Sequence, residues 1–309
     1  MNLQTAKKYE DLLTGTVDPS PFDYAMMFKA DGYFARQRAK TRFKLLKAIE
    51  RKLLGILRPQ ERVYWVTTGT TVTLAEQFFV GWMAYYLNRR ALVFSTERVL
   101  LLEISRGNKP GHLVSQIPYT AIASVKSTWN GLCRVKLLNQ KSYAFQSVPS
   151  ADRKFLADFL RDITQGTNAP FERIQSLENM CPHCYAVTAG HPAGCPSCGG
   201  QFKSAGRAAL LSFVFPGTGD WYIGHRGVAI LEMLGACFWW LVLVISPLLL
   251  PADPEMPPIT GEYWLTVAVI LVIGHSIDAL MTYNFARKGH YPLGSRLPAA
   301  DLPPRLAAD

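Results

Sequence analysis

The chain has 309 residues, 49% of them hydrophobic, and its 33 Lys/Arg exceed its 23 Asp/Glu to leave a net charge of +10. A mean hydropathy of +0.07 is high for an ordinary soluble protein, and the length suits two or three domains with at least one sizeable core. The charge is concentrated: residues 29–62 hold eleven Lys/Arg against Asp31, Glu50 and Glu61, a local +8 that suits lipid headgroups or nucleic acid.

The opening MNLQTAKKYEDLL is polar and lacks a continuous apolar stretch, so no secretory signal is expected. Ser20-Pro21-Phe22-Asp23 reads as a helix start, with Ser at the cap, Pro at the first position and an acid two further on. One helix or a pair then runs to about Leu57, with Gly32 the candidate break, so residues 1–56 form a basic helical region. Lys40, Lys44, Lys47 and Arg51 share one face, while Leu46, Ile49, Leu53 and Leu57 lie nearly opposite. Two uses fit this pattern. The apolar face packs on the next domain and leaves the basic face in water, or the basic face lies against anionic phospholipid.

From Val63 to Val148 the texture is β-rich. VYWVTT, ALVFS, RVLLLEI, HLVSQI, IASVKSTW, LCRVKLL and SYAFQSV are short runs of β-branched or aromatic residues between turn-like or charged ones. FFVGWMAYYL, 78–87, is too short to span a bilayer as a helix and reads as another strand. Ser150-Ala151-Asp152-Arg153 then opens a helix carrying Phe155, Phe159 and Ile163 at spacings of four. Arg89, Arg90, Arg98 and Lys126 read as scattered surface cations. LRPQERV, LVFSTERVLLLE and IPYTAIASV resemble the bacterial pleckstrin-homology-like family over residues 57–164. The resemblance implies an α+β barrel of about seven antiparallel strands capped by a C-terminal helix, and a binding or assembly module rather than an enzyme.

Residues 176–205 carry Cys181-x-x-Cys184 and Cys195-x-x-Cys198. Two such pairs form two tight turns that present four thiolates to one point, the arrangement of a structural zinc ribbon with a closed tetrahedral site. A segment this short has no core without the metal. His183 and His191 are lesser candidate ligands. A redox Cys-x-x-Cys lacks the surrounding βαβ pattern and leaves the second pair unexplained. Cys133 and Cys237 stand alone and read as small buried apolar side chains.

The last third has membrane character. Residues 228–250 and 264–284 are each long and apolar enough to cross a hydrocarbon layer of about 30 Å. The loop 251–263 has no Lys or Arg, whereas Arg287, Lys288, Arg296 and Arg305 follow, which puts the loop outside and both termini in the cytoplasm. AALLSFVFP, 208–216, reaches only about 13 Å as a helix, so 208–224 reads as interfacial or re-entrant. A third crossing would leave the basic N-terminal two thirds and the thiolates outside. Residues 289–309 read as a disordered tail.

FPGTGDWYIGHRGVAILEM, with HSIDAL in the second crossing, is similar to the TM2-domain family over residues 206–288. Pro216, Gly217, Gly219, Tyr222, Gly224 and Gly227 match its turn, here 215–227, and Asp278 its acid; the resemblance implies a two-helix membrane hairpin. Glu232, His275 and Asp278 are the ionisable groups inside the crossings, with Asp220, Tyr222 or His225 the expected partners of Asp278. The whole reads as a multidomain, non-enzymatic protein of the bacterial inner membrane, its ribbon a spacer between the pleckstrin-homology-like module and the anchor. Its partners are anionic inner-leaflet lipids and a protein partner or second copy. A transporter or channel subunit using Glu232, His275 and Asp278 is the first alternative. A membrane-tethered nucleic-acid binder is the second, and it lacks the interleaved aromatics expected of one.

Overall fold

The computed structural model describes residues 21–28, 35–73, 76–78, 81–127, 132–166, 176–249 and 260–294. It divides into two compact units, Met1–Gly200 with Gly294–Asp309, and Gln201–Leu293.

In the first unit, helices α1 (Tyr24–Met27) and α2 (Ala35–Ile56) precede β1 (Val63–Thr70). A short α3 (Met83–Leu87) leads to β2 (Arg89–Ser95), β3 (Arg98–Ile104), β4 (Pro110–Pro118), β5 (Ile122–Ser127), β6 (Cys133–Leu137) and β7 (Ser142–Phe145). Helix α4 (Ser150–Gly166) and strand β8 (Glu178–Met180) close the unit. The strands form two antiparallel sheets, ordered β1-β2-β3-β4-β8 and β5-β6-β7.

The expected barrel is not closed. β8 occupies the outer edge of β4, with Val114 opposite Met180, so β5 has no edge to pair with there. Pro118 and a 3-10 turn at Tyr119–Ala121 redirect the chain into the second sheet, and an isolated Thr70–Gln146 bridge joins the two. β8 also makes the cysteine segment an extension of the main sheet.

The runs ALVF and VLLL are continuously apolar because the main sheet is covered on both faces. Ala91, Val93, Leu100 and Leu102 pack under Leu46, Ile49, Leu53 and Ile56 of α2. Leu92, Phe94, Val99 and Leu101 face the second sheet and Leu156 and Leu160 of α4. Helix α2 therefore belongs to the same core as the strands. Lys40, Lys44, Lys47 and Arg51 form its exposed face.

Two local expectations fail here. Helix α1 is capped by Asp23, whose Oδ1 accepts the Met26 N–H at 3.0 Å. Pro21 and Phe22 are held by Val63 of β1, so the helix starts only after them. Among its described residues, 78 and 81–87, the 78–87 segment forms no strand: Gly81 has φ +60 and α3 follows. Trp82 and Tyr86, both exposed, lie four residues apart at α3 with ring centres 5.3 Å from each other.

The second unit contains α5 (Ala205–Val214), α6 (Thr218–Ile223), α7 (Arg226–Leu249) and α8 (Gly261–Ala286). α7 and α8, of 24 and 26 residues, are long and apolar enough to cross a membrane, and only 17% of the most apolar window of each is buried. Helix α7 widens to a π-helical turn at Leu241–Ile245. Pro247 explains this: its ring crowds the carbonyl four residues back, Leu243, which is instead capped by the Tyr263 hydroxyl at 2.8 Å. Helix α5 runs antiparallel to α8, from the Lys203–Tyr291 backbone bond to the Phe213–His275 contact, and α6 returns beside it. His290 and Tyr291 are buried and Pro292 bridges to Phe202, so the expected disordered tail does not begin at 289. Residues 295–309 lie outside the described ones.

Candidate functional site

Cys181 directly follows β8, and Cys195 begins the second turn. Tyr185 N–H bonds the Cys181 carbonyl at 3.0 Å, and Gly199 N–H bonds that of Cys195 at 2.9 Å, so each Cys-x-x-Cys closes on itself. Gly199 takes φ +69, which an L side chain rarely adopts. The sulfurs of Cys181 and Cys198 are 3.7 Å apart, as are those of Cys184 and Cys195, and all four lie within 4.8 Å of one another. A disulfide needs about 2.05 Å. A tetrahedron with metal–sulfur bonds of about 2.3 Å has edges of about 3.8 Å. The four cysteines therefore fit one metal ion, and neither His183 nor His191 belongs to the group.

Burial pushes the Cys181 thiol up, and Cys184 up to about 11. Burial acts on Cys195 in the same sense, but N–H groups of Cys198 and Ser197 and the neighbouring thiols bring it down to about 7. A bound metal ion would supply the charge that four gathered thiolates require.

A polar cluster occupies the interior of the second unit. Asp278 Oδ2 accepts the Gly217 N–H at 3.1 Å and is hydrogen-bonded by Ser212. Ser212 Oγ is 2.9 Å from Thr282 Oγ1, which donates to Asp220 Oδ2 at 2.6 Å. Asp220 Oδ1 is 3.0 Å from His225 Nδ1, and His225 Nε2 is 3.1 Å from the Tyr291 hydroxyl. With Nδ1 protonated, His225 donates to the carboxylate and accepts from tyrosine. Ser212 and Thr282 thus link the two carboxylates through their hydroxyls. Glu232 Oε2 is buried without a hydrogen-bond partner, and one carboxylate oxygen from each of Asp220, Glu232 and Asp278 lies within 4.8 Å of the others.

These side chains serve the broken backbone between α5 and α6. His275 Nδ1 is 2.8 Å from the Phe213 carbonyl, and Thr218 Oγ1 donates to the Leu211 and Phe215 carbonyls at 2.6 and 2.7 Å. Gly217, at φ +86, has the Ala229 carbonyl 2.6 Å from where a Cβ would be; at Gly219 a Cβ would lie 2.6 Å from Ser212 Oγ. Gly224 caps α6 at φ +108, whereas Gly227 has open space and no steric demand for glycine.

Of the partners expected for Asp278, neither Tyr222 nor His225 touches it in this way. Tyr222 bonds the Ser204 N–H at 3.4 Å, and His225 bonds Asp220. Ser212, Thr282 and Tyr291 were missed; the signal available was small hydroxyls inside apolar helices. Cys237 is exposed, unlike the buried Cys133. Arg98 is also not a surface cation: it bonds Glu61 at 2.7 and 2.9 Å, the Ile56 carbonyl at 3.1 Å and Gln116. Arg90 is likewise buried. No protein-family model and no curated protein matches this chain.

Proposed function

We propose that this is a non-enzymatic integral membrane protein in which a pleckstrin-homology-like binding or assembly module is joined, through a structural zinc centre, to a TM2-like membrane anchor. Helices α7 and α8 cross the membrane, α5 and α6 form a re-entrant hairpin between them, and both termini lie on the cytoplasmic side of a bacterial inner membrane. Zinc is the favoured ion because four thiolates at tetrahedral spacing leave no open position for catalysis. The seven strands, two sheets and following helix support the module's resemblance. Its partners are anionic lipid, through Lys40, Lys44, Lys47 and Arg51, and a protein partner or second copy.

One observation carries the membrane reading: the second unit is inside out for water. Leu234, Phe238, Leu248, Leu265, Val272 and Leu280 are exposed, while Asp220, Ser212 and Thr282 are buried. Exposed apolar helices with an internal polar cluster match a hydrocarbon surround. Expressed in a bacterial host, the chain should sediment with membranes and resist carbonate extraction while detergent releases it. Recovery in the carbonate supernatant would end this reading.

The unpartnered Glu232 oxygen, gathered with Asp220 and Asp278, favours a second reading, a proton-coupled transporter subunit. Proton flux in reconstituted vesicles, lost alike in Asp278→Asn and Asp278→Leu, would carry it.

A further inference from the structure

At one end of the second unit three cations gather on two aromatic rings. Lys203 Nζ lies 5.5 Å and Arg207 Cζ 5.4 Å from the centre of the Tyr222 ring, and Arg226 Cζ lies 5.9 Å from that of Trp221. These are separations at which the negative face of a ring holds a cation. None of the three has a carboxylate partner among the described residues. Asp220, the acid nearest in sequence to Arg226 on its N-terminal side, is turned inward to Thr282 and His225. The Lys203 ammonium is held below the ordinary lysine range, first by burial and then by the like charge of Arg226. With Lys203 and Arg207 on one ring, Arg226 close enough to repel Lys203, and no counter-ion among the described residues, the group makes a site for an anion.

The surroundings select the anion. Arg207 sits in the first turn of α5, and Leu210 and Val214, three and seven residues on, continue the same helix face. Both are exposed, at 64% and 69%. A cationic end followed by two turns of apolar surface matches a molecule with a phosphate at one end and acyl chains at the other. A free phosphate would use only the first half.

We propose that Lys203, Arg207 and Arg226 bind the headgroup phosphate of an anionic phospholipid, whose acyl chains lie along Leu210 and Val214. This rests on the membrane reading above and names a lipid site separate from the basic face of α2.

The test uses the full chain extracted in mild detergent, with phosphatidylglycerol or phosphatidylcholine added to the micelles and retained lipid measured by native mass spectrometry. Each of Lys203→Gln, Arg207→Gln and Arg226→Gln should weaken phosphatidylglycerol retention about five-fold, with phosphatidylcholine retention unchanged. Arg207→Lys with Arg226→Lys should keep most of it, which separates lost charge from lost folding. Excess inorganic phosphate should not displace the lipid. Displacement by phosphate at equal concentration would mean a free-ion site and overturn the proposal. Equal loss on neutralising Lys40, Lys44, Lys47 and Arg51 together, with no loss from the three cations, would overturn it too. Protein that stays in membranes yet keeps phosphatidylglycerol in the triple variant defeats this inference alone, whereas protein absent from membranes defeats the membrane reading with it.

Discussion

Arg98 and Glu61 illustrate how a single buried pair fixes a turn. Glu61 is 2% exposed, and it accepts from Arg98, from Ser95 Oγ at 2.6 Å and from the Arg58 N–H at 2.9 Å. Burial alone would raise its pKa, but the bonds from Arg98, Ser95 and Arg58 outweigh it and hold the carboxyl below the usual range. Because the folded value is depressed, the pair's contribution is full above the unfolded value and is lost as pH falls through the folded one. Stability should therefore decline with acid below about pH 4. Glu61→Gln should remove that part of the decline and cost about 3 to 5 kcal/mol at neutral pH, since it leaves Arg98 charged and buried. Chemical denaturation of wild type and variant across pH 3 to 7 measures both effects; parallel curves would refute the assignment. The cysteines act at the same scale. Purified protein should hold one zinc per chain, and Cys184→Ser should lose it and expose residues 176–205 to protease, because three sulfurs leave the tetrahedron open. Metal-free protein with reduced thiols, found by elemental analysis, would remove the metal centre.

At the scale of elements, the informative part is a helix that stops. α5 ends at Val214, and the chain needs two further turns of backbone before α7 begins. Broken helices leave N–H and C=O groups unsatisfied, and in hydrocarbon no water replaces the missing partners. Here Asp278 takes the Gly217 N–H, His275 bonds the Phe213 carbonyl, and Thr218 takes two more carbonyls. The polar residues of α8 are therefore explained as caps for α5 and α6. Asp278→Asn keeps an acceptor for Gly217, so protease access between Gly217 and Gly227 should rise only slightly. Asp278→Leu leaves that N–H without a partner, and cleavage there should rise several-fold while the first unit stays folded. Equal protection in both variants would discard the capping role and strengthen the transport reading.

For the whole molecule, the testable property is its orientation. The loop before α8 lacks Lys and Arg, while the segments before α5 and after α8 carry them. A cysteine at Thr260 should react with an impermeant maleimide from outside intact cells, and one at Ala307 should not. The background should lack only Cys133 and Cys237, so that the metal centre remains intact. The opposite labelling pattern would invert the topology and leave the thiolates in an oxidising space, which the zinc reading does not survive.

Much of this was legible in the sequence because it is local. The Cys-x-x-Cys spacing, the seven short strands, the exposed basic face of α2 and the length of the two apolar helices depend on neighbours a few residues away. Period and spacing report such features directly. The 78–87 run reads as a strand because its aromatics favour one, whereas the chain turns at Gly81 into α3. What only the tertiary structure decided are pairings between distant residues. Arg42 of α2, one of the eleven cations of the basic 29–62 segment, is buried against Asp152 at 2.7 Å, 110 residues away, with the Trp65 ring 3.6 Å from its guanidinium. The open sheet depends on β8 reaching β4 from beyond α4, and the link between Asp220 and Asp278 depends on Ser212 meeting Thr282. A one-dimensional pattern records which residues are apolar or charged, but a buried charge or hydroxyl takes its role from its partner, and folding alone supplies that partner.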